Sequence, residues 1–295
     1  MRGHALVEVQ LCGQPRNRNF AVEDIMPRRI DHLVLAVNDL DAAASFYEAL
    51  GFIVGARNRH PWGTENRIVQ FTSSFLELIT IGEGAQIPPH EPGQFSFGAF
   101  VRDYLEKGEG LAMLVLDSND ARADAVHFST SGLGAYAPFY FERKGQRPDG
   151  RETHVAFTLA FATDVNLPNA GFFVCQQHFP NAFWNPELQA HPNGASNIVG
   201  VDIGATAPLR HVGFLSEFAG SPIDDTLRVS LECEGTITLC KSQTEGLIGF
   251  TIAVPDLTRI RASLKAAGLA CTESARELTL KAHAGRGMAI RFALC

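Results

Sequence analysis

The sequence predicts an α+β protein of four βαβββ modules, paired so that curved mixed sheets form around a ligand cup. Three observations carry that prediction. Ala36, Val37, Asp39, Leu40 and Gly51 match Ala253, Val254, Asp256, Leu257 and Gly268 at one constant offset, so a unit recurs within the chain. Both of these copies, the first and the last, set Asp-Leu between an apolar, strand-like run and a helix-like segment that stops at glycine. Short apolar stretches divided by turn residues follow each helix, which is the pattern of further strands.

In the first module, Ile30–Val37 reads as a strand and Asp39 as an N-cap that accepts the first free amide hydrogens of the helix. Ala42, Phe46, Ala49 and Leu50 recur at helical spacing, with Gly51 as a left-handed C-cap. Phe52–Ala56, Arg67–Phe71 and Phe75–Ile81 are its three remaining strands. The second module has a strand at Leu111–Leu116, a helix over residues 121–131, and strands Phe139–Lys144, Thr153–Ala162 and Gly171–His178. Pro148-Asp149-Gly150 marks a hairpin turn within 145–150. The third copy is weaker: a strand at Asn197–Val201, a helix near Leu209–Phe218, and strands Val229–Glu232 and Thr236–Cys240. The fourth closes with Leu278–Ala282 and Met288–Leu294. Residues 82–107 are expected to pack as a long loop with a short helix, and 179–194 to link the halves. A lone module exposes a sheet face and a strand edge, so pairing is required.

These readings give a domain over 28–190, a second, degenerate pair over 191–295, and a poorly ordered leader over 1–27. With 45% hydrophobic and 19% charged residues, the composition is that of a compact soluble protein. A net charge of -7 without clustered Lys and Arg argues against nucleic acid, and no apolar run is long enough to span a membrane. Six cysteines without a CxxC pair predict a reduced, cytoplasmic chain. No phosphate-binding loop appears, so no nucleotide cofactor is expected. The partner is expected to be a small molecule, and paired modules make a homodimer an expectation too.

Several stretches carry a family resemblance. Ile30-Asp31-His32-Leu33-Val34-Leu35-Ala36-Val37, His60-Pro61-Trp62-Gly63-Thr64-Glu65-Asn66 and Phe75-Leu76-Glu77-Leu78 resemble the vicinal oxygen chelate superfamily, in its glyoxalase-like branch. So do Phe172-Phe173-Val174-Cys175-Gln176-Gln177-His178 and His191-Pro192-Asn193-Gly194-Ala195. The resemblance implies a divalent metal held on the cup wall by His, Glu or Gln, acting as a Lewis acid on an oxygenated substrate. It places His32 and Glu77 at the first two ligand positions, with Gln176 or His178 completing a three-ligand site. Glu77 or Glu65 would then accept a proton, and His60, Trp62, Asn66, Gln177, His191 and Asn193 would contact the ligand.

Bland alternatives stand beside these. A histidine within a strand also serves as a satisfied core residue, and His60–Asn66 and Asn193-Gly194 also read as turns. The second module offers Met113 or Ala112 where the first has His32, and later modules offer Val201 and Gly249. Thr238 and Arg291 are the nearest polar residues on the late terminal strands. The expected function is therefore a metal-assisted lyase or isomerase acting on a small oxygenated molecule. The alternative is a metal-free binding protein of the drug-sequestering kind. An extradiol dioxygenase is disfavoured, because the second half lacks the facial triad of ligands.

Overall fold

A computed structural model describes residues 28–146, 152–282 and 285–295. The expected leader and most of the expected hairpin turn lie outside them. In the first module, β1 (Ile30–Ala36) and α1 (Leu40–Ala49) precede β2 (Asn58–Arg59), β3 (Thr64–Gln70) and β4 (Phe75–Ile81). After α2 (Phe97–Leu105) come β5 (Gly110–Asp117), α3 (Ala121–Thr130), β6 (Phe139–Gln146), β7 (Glu152–Ala162) and β8 (Gly171–Gln177). Two short helices, α4 (Pro180–Phe183) and α5 (Pro186–Gln189), lead to the second half. There β9 (Asn197–Ala205), a 3-10 turn (Pro208–His211), α6 (Val212–Ala219), β10 (Arg228–Ser230) and β11 (Thr236–Lys241) form the third module. The fourth comprises β12 (Gly246–Val254), α7 (Leu257–Ala266), β13 (Thr272–Glu273), β14 (Glu277–Leu280) and β15 (Ala289–Leu294).

The repeated Asp is a helix cap. Asp39 accepts from the amides of Asp41 and Ala42 at 3.0 and 2.9 Å, and Asp256 from that of Thr258 at 2.8 Å. Asp120 caps α3 in the same way. In the third module α6 has no side-chain cap and starts from a 3-10 turn, which is why its sequence signal is weak. Gly51 (φ 86°) and Gly268 (φ 67°) take the left-handed conformation that ends the first and last helices.

The strands form two mixed sheets, ordered β2-β3-β4-β1-β5-β8-β7-β6 and β10-β11-β9-β12-β15-β14-β13. Each joins two modules through antiparallel first strands, β1 with β5 and β9 with β12. One expected strand is absent: Phe52–Ala56 runs as non-strand backbone. Its amides are drawn in two directions, Ile53 donating to the His191 ring at 3.0 Å and Gly55 to the Ile68 carbonyl at 2.8 Å.

Period-two alternation divides the first sheet into two faces. Leu33, Leu35, Leu76, Leu78, Leu114 and Phe172 point toward the helices, in a core continuous with Phe250, Ile252, Ile290 and Phe292 of the second sheet. The other face carries Val34, Ala36, Ile79, Met113, Val115, Phe161 and Phe173. This second face is concave, because the free edges of the sheet meet over it. Trp62, from the β2–β3 hairpin, packs edge-on against Phe139 and Phe141 of β6 at 5.4 and 5.2 Å, and Arg143 donates to Asn58 at 2.9 Å. From α2, Phe97 and Val101 descend into the cup, and α4 sets Phe183 against Phe75 and Phe157. Burying each such phenylalanine is worth roughly 2 kcal/mol, so the cup is a packed element of the fold as well as a binding wall.

Among the described residues, Cys175, Cys240, Cys271 and Cys295 are free thiols.

Candidate functional site

The concave face of the first sheet holds two polar clusters. On β4, Glu77 lies on the same face as Phe75 and Ile79 and is 9% exposed. Asn66 of β3 donates from Nδ2 to Glu77 Oε1 at 2.5 Å. His60 places Nε2 4.0 Å from the same oxygen and fixes its ring through Nδ1, 2.8 Å from Thr64 Oγ1. The indole of Trp62 stacks on that imidazole at 4.5 Å. Burial holds the His60 pKa below the ordinary histidine value, helped by Arg143 and opposed by Glu77. Two atoms here are buried without a hydrogen-bond partner among the described residues, Trp62 Nε1 and Asn66 Oδ1.

The other cluster surrounds His32. The β1–β5 pairing shifts register between Ile30 and His32, so Asp31 is the extra residue of a β-bulge. The bulge brings the Asp31 carboxylate beside its own neighbour: His32 Nδ1 lies 2.7 Å from Asp31 Oδ2. Gln177 donates to Asp31 Oδ1 at 2.8 Å, and the Arg29 guanidinium stands 3.6 Å from that oxygen. Phe75 stacks on the His32 ring at 4.2 Å and Phe173 meets it edge-on at 5.5 Å. Burial pushes the neighbouring Cys175 thiol well up, reinforced by the Asp31 charge.

Other expected site residues face elsewhere. Gln176 lies on the opposite face of β8, its Oε1 accepting from the Ala121 amide at 3.3 Å and its Nε2 donating to the Asn119 carbonyl at 2.7 Å. His178 Nε2 pairs with Thr158 Oγ1 at 2.7 Å, on the face of β7 that carries Ala160 and Ala162. The structure brings neither to His32 and Glu77. Glu65 also points out of the cup, bonded to Arg57 at 2.6 Å and Arg59 at 2.8 Å, and these two arginines hold its carboxyl below the usual range. His191 accepts from the Ile53 amide through Nδ1 and holds the Gln70 carbonyl through Nε2 at 2.8 Å, with its ring edge-on to Phe52 and Phe71. Asn193 donates to the Leu50 carbonyl at 3.0 Å, at the end of α1. Both fasten the connecting segment to the helix side of the sheet. Of the expected ligand contacts, His60, Trp62, Asn66 and Gln177 are the ones gathered at the cup.

A chelated metal does not fit this donor set. Beside His32 Nε2 and the Glu77 carboxylate, the facing residues of β5 and β8 are Met113, Val115 and Phe173, which offer no further His, Asp or Glu ligand. Among the described residues no three His, Cys, Asp or Glu side chains are placed to share an ion. The expected set of His32, Glu77 and Gln176 or His178 is therefore not assembled. Sequence reasoning missed Asp31, because strict alternation sends neighbouring residues to opposite faces and only the bulge reunites Asp31 with His32.

Paired βαβββ modules curled around a concave face define a protein of the vicinal oxygen chelate superfamily. The chain belongs to its glyoxalase-like domain family, whose model matches residues 30–218. A crystal structure of a hypothetical protein from Staphylococcus aureus superposes with a TM-score of 0.68 at 12% identity, covering 91% of this chain and 100% of that one. A mutant 4-hydroxymandelate synthase from Streptomyces coelicolor gives 0.59 at 12% identity, over 91% and 93%. The Mn(II)-bound glyoxalase from Novosphingobium aromaticivorans gives 0.54 at 11% identity, over 91% and 82%. At these identities the likeness is one of fold. Among curated proteins none matches the sequence. No helix of the described residues is long and apolar enough to cross a membrane.

Proposed function

We propose that the first cup binds a small, largely apolar, oxygenated molecule and moves a proton on it, in a lyase or isomerase reaction with Glu77 as proton acceptor. The observation that carries this reading is a pair of buried, orphaned atoms, the Asn66 Oδ1 acceptor on the side chain bonded to Glu77 and the Trp62 Nε1 donor on the indole stacked over His60. Buried polar atoms are almost always paired, and one left alone costs about 1–3 kcal/mol. A ligand carbonyl on the indole N–H and a ligand hydroxyl on the amide oxygen would satisfy both. Phe97, Phe139 and Phe141 pack around Trp62, and the Glu77 side chain is itself buried. In such a setting Glu77 can accept a proton from the carbon beside a bound carbonyl, and the His60 ring stands 4.0 Å away as the next carrier. This chemistry needs no ion, and the described residues assemble no three His, Cys, Asp or Glu side chains to hold one.

The second reading is binding without chemistry. It is favoured by the apolar Met113, Val115 and Phe173 across the cup from Glu77. A neutral α-hydroxy ketone, 4-(hydroxyacetyl)phenol, separates the two. The reactive reading expects the probe to quench Trp62 fluorescence and to exchange its α-hydrogens with D2O faster than in buffer. Glu77→Gln should abolish the exchange while leaving affinity within about threefold. Binding without exchange supports sequestration, and no binding sinks both readings.

A further inference from the structure

The His32 cluster adds a recognition element to the same cup, and the inference that follows rests on the ligand-binding reading above. Asp31 is fully buried, and its carboxylate can only accept hydrogen bonds. Gln177 Nε2 is aimed at one of its oxygens and His32 Nδ1 at the other. The Arg29 guanidinium stands 3.6 Å from Asp31 and is shared with Asp117 at 3.2 Å. In the neutral ring Nδ1 carries the proton toward the Asp31 carboxylate, which leaves Nε2 as a bare acceptor. Nε2 makes no hydrogen bond among the described residues. Phe75 across its face and Phe173 at its edge fix the ring plane. His32 pairs in register with Phe75 on the strand that carries Glu77 two residues further on, so the imidazole and the carboxylate are diagonal neighbours on the concave face.

We propose that His32 reads a hydroxyl on the ligand: Asp31, clamped by Gln177, sets the tautomer, and Nε2 accepts the hydrogen bond of a phenol or enol held between His32 and the Glu77 cluster. Asp31 and Gln177 are positioning residues in this arrangement. A ligand with an ether or a bare ring edge at that point would leave Nε2 unpaired. The site thus selects the hydroxylated member of otherwise similar aromatic ketols.

Two measurements test this on the full chain. Two-bond proton–nitrogen correlation spectra of histidine-labelled protein, with the His32 resonances assigned through His32→Phe, are expected to show the Nδ1–H tautomer. An Nε2–H tautomer, or a stoichiometric metal on that nitrogen, overturns the proposal. The second measurement compares the affinity for 4-(hydroxyacetyl)phenol with that for 4-(hydroxyacetyl)anisole. The wild type should prefer the phenol by about tenfold, the scale of one net buried hydrogen bond. His32→Phe, which keeps an aromatic ring against Phe75, should bring the ratio near one. In Asp31→Asn the Gln177 donor claims the amide oxygen and turns the amide nitrogen toward His32, which reverses the tautomer and should also erase the preference. If that variant does not fold, the wild-type spectrum and the His32→Phe ratio still decide. Equal binding of both probes to the wild type refutes hydroxyl recognition alone. Failure of both probes to bind refutes the ligand-binding reading beneath it and removes this inference with it.

Discussion

Phe52 and Phe292 stack at 6.3 Å and 27° between the segment that follows α1 and the last strand of the second sheet. The contact joins the two halves of the chain inside one core, which also takes in Leu33 and Leu114 from the first sheet and Ile252 and Ile290 from the second. The first sheet thus uses its concave face for the cup and rests its helix-side face partly on the other half.

Phe292→Ala should therefore destabilise the whole chain by about 3–5 kcal/mol, the usual cost of emptying a buried aromatic site. A chain ended at residue 190 should not unfold cooperatively, because the helix-side core is left uncovered. Urea denaturation followed by circular dichroism checks both. A fragment that unfolds in one sharp transition would show that the first pair of modules is independent.

His191 should act on stability and not on ligand binding. His191→Leu leaves the Ile53 amide and the Gln70 carbonyl without their partner, at about 2–4 kcal/mol, while probe affinity at the cup stays within twofold. Parallel denaturation and fluorescence titrations read the two effects.

Burial lowers the pKa values of both His60 and His191 below 6.5. Their unfolded forms therefore bind more protons than the folded ones. The neutral rings contribute fully above about pH 6.5, and that contribution falls as the pH drops through 6.5 toward the folded values. Thermal melts from pH 7.5 to 5 should show Tm falling toward acid, with a shallower slope in His191→Leu.

Glu65 should be dispensable for any proton transfer. Its carboxyl is held below 4.5 by Arg57 and Arg59, so the stabilisation it provides is present above that value and lost as the pH falls through the folded pKa. Glu65→Gln is expected to leave ketol exchange within twofold and to remove this part of the acid-side stability loss. Exchange that collapses in Glu65→Gln would reassign the base.

Protein purified without chelators should carry far less than one equivalent of zinc, manganese or iron per chain by elemental analysis. This follows because no three His, Cys, Asp or Glu side chains among the described residues are placed to share an ion. One tightly held equivalent, lost in His32→Phe or Glu77→Gln, would restore the chelate.

The sequence by itself determined the modules, because their signals are local. Asp39, Asp120 and Asp256 cap helices through their own neighbouring amides, and Gly51 and Gly268 end helices through their own φ angles. Alternation along β1 sets His32 with Val34 and Ala36, and along β4 sets Glu77 with Phe75 and Ile79, while the pairing of the two strands puts both on one face. What the residues of that face do was decided only by tertiary structure. A one-residue bulge against β5 gives Asp31 to His32, and the register of β8 turns Gln177 inward and Gln176 and His178 outward. A connecting segment that reads as a ligand contact, His191 and Asn193, instead fastens α1 and β3 to the core. Caps and turns are set by residues a few positions apart, whereas a polar group's partner depends on strand registers and crossings that bring together residues more than a hundred positions distant.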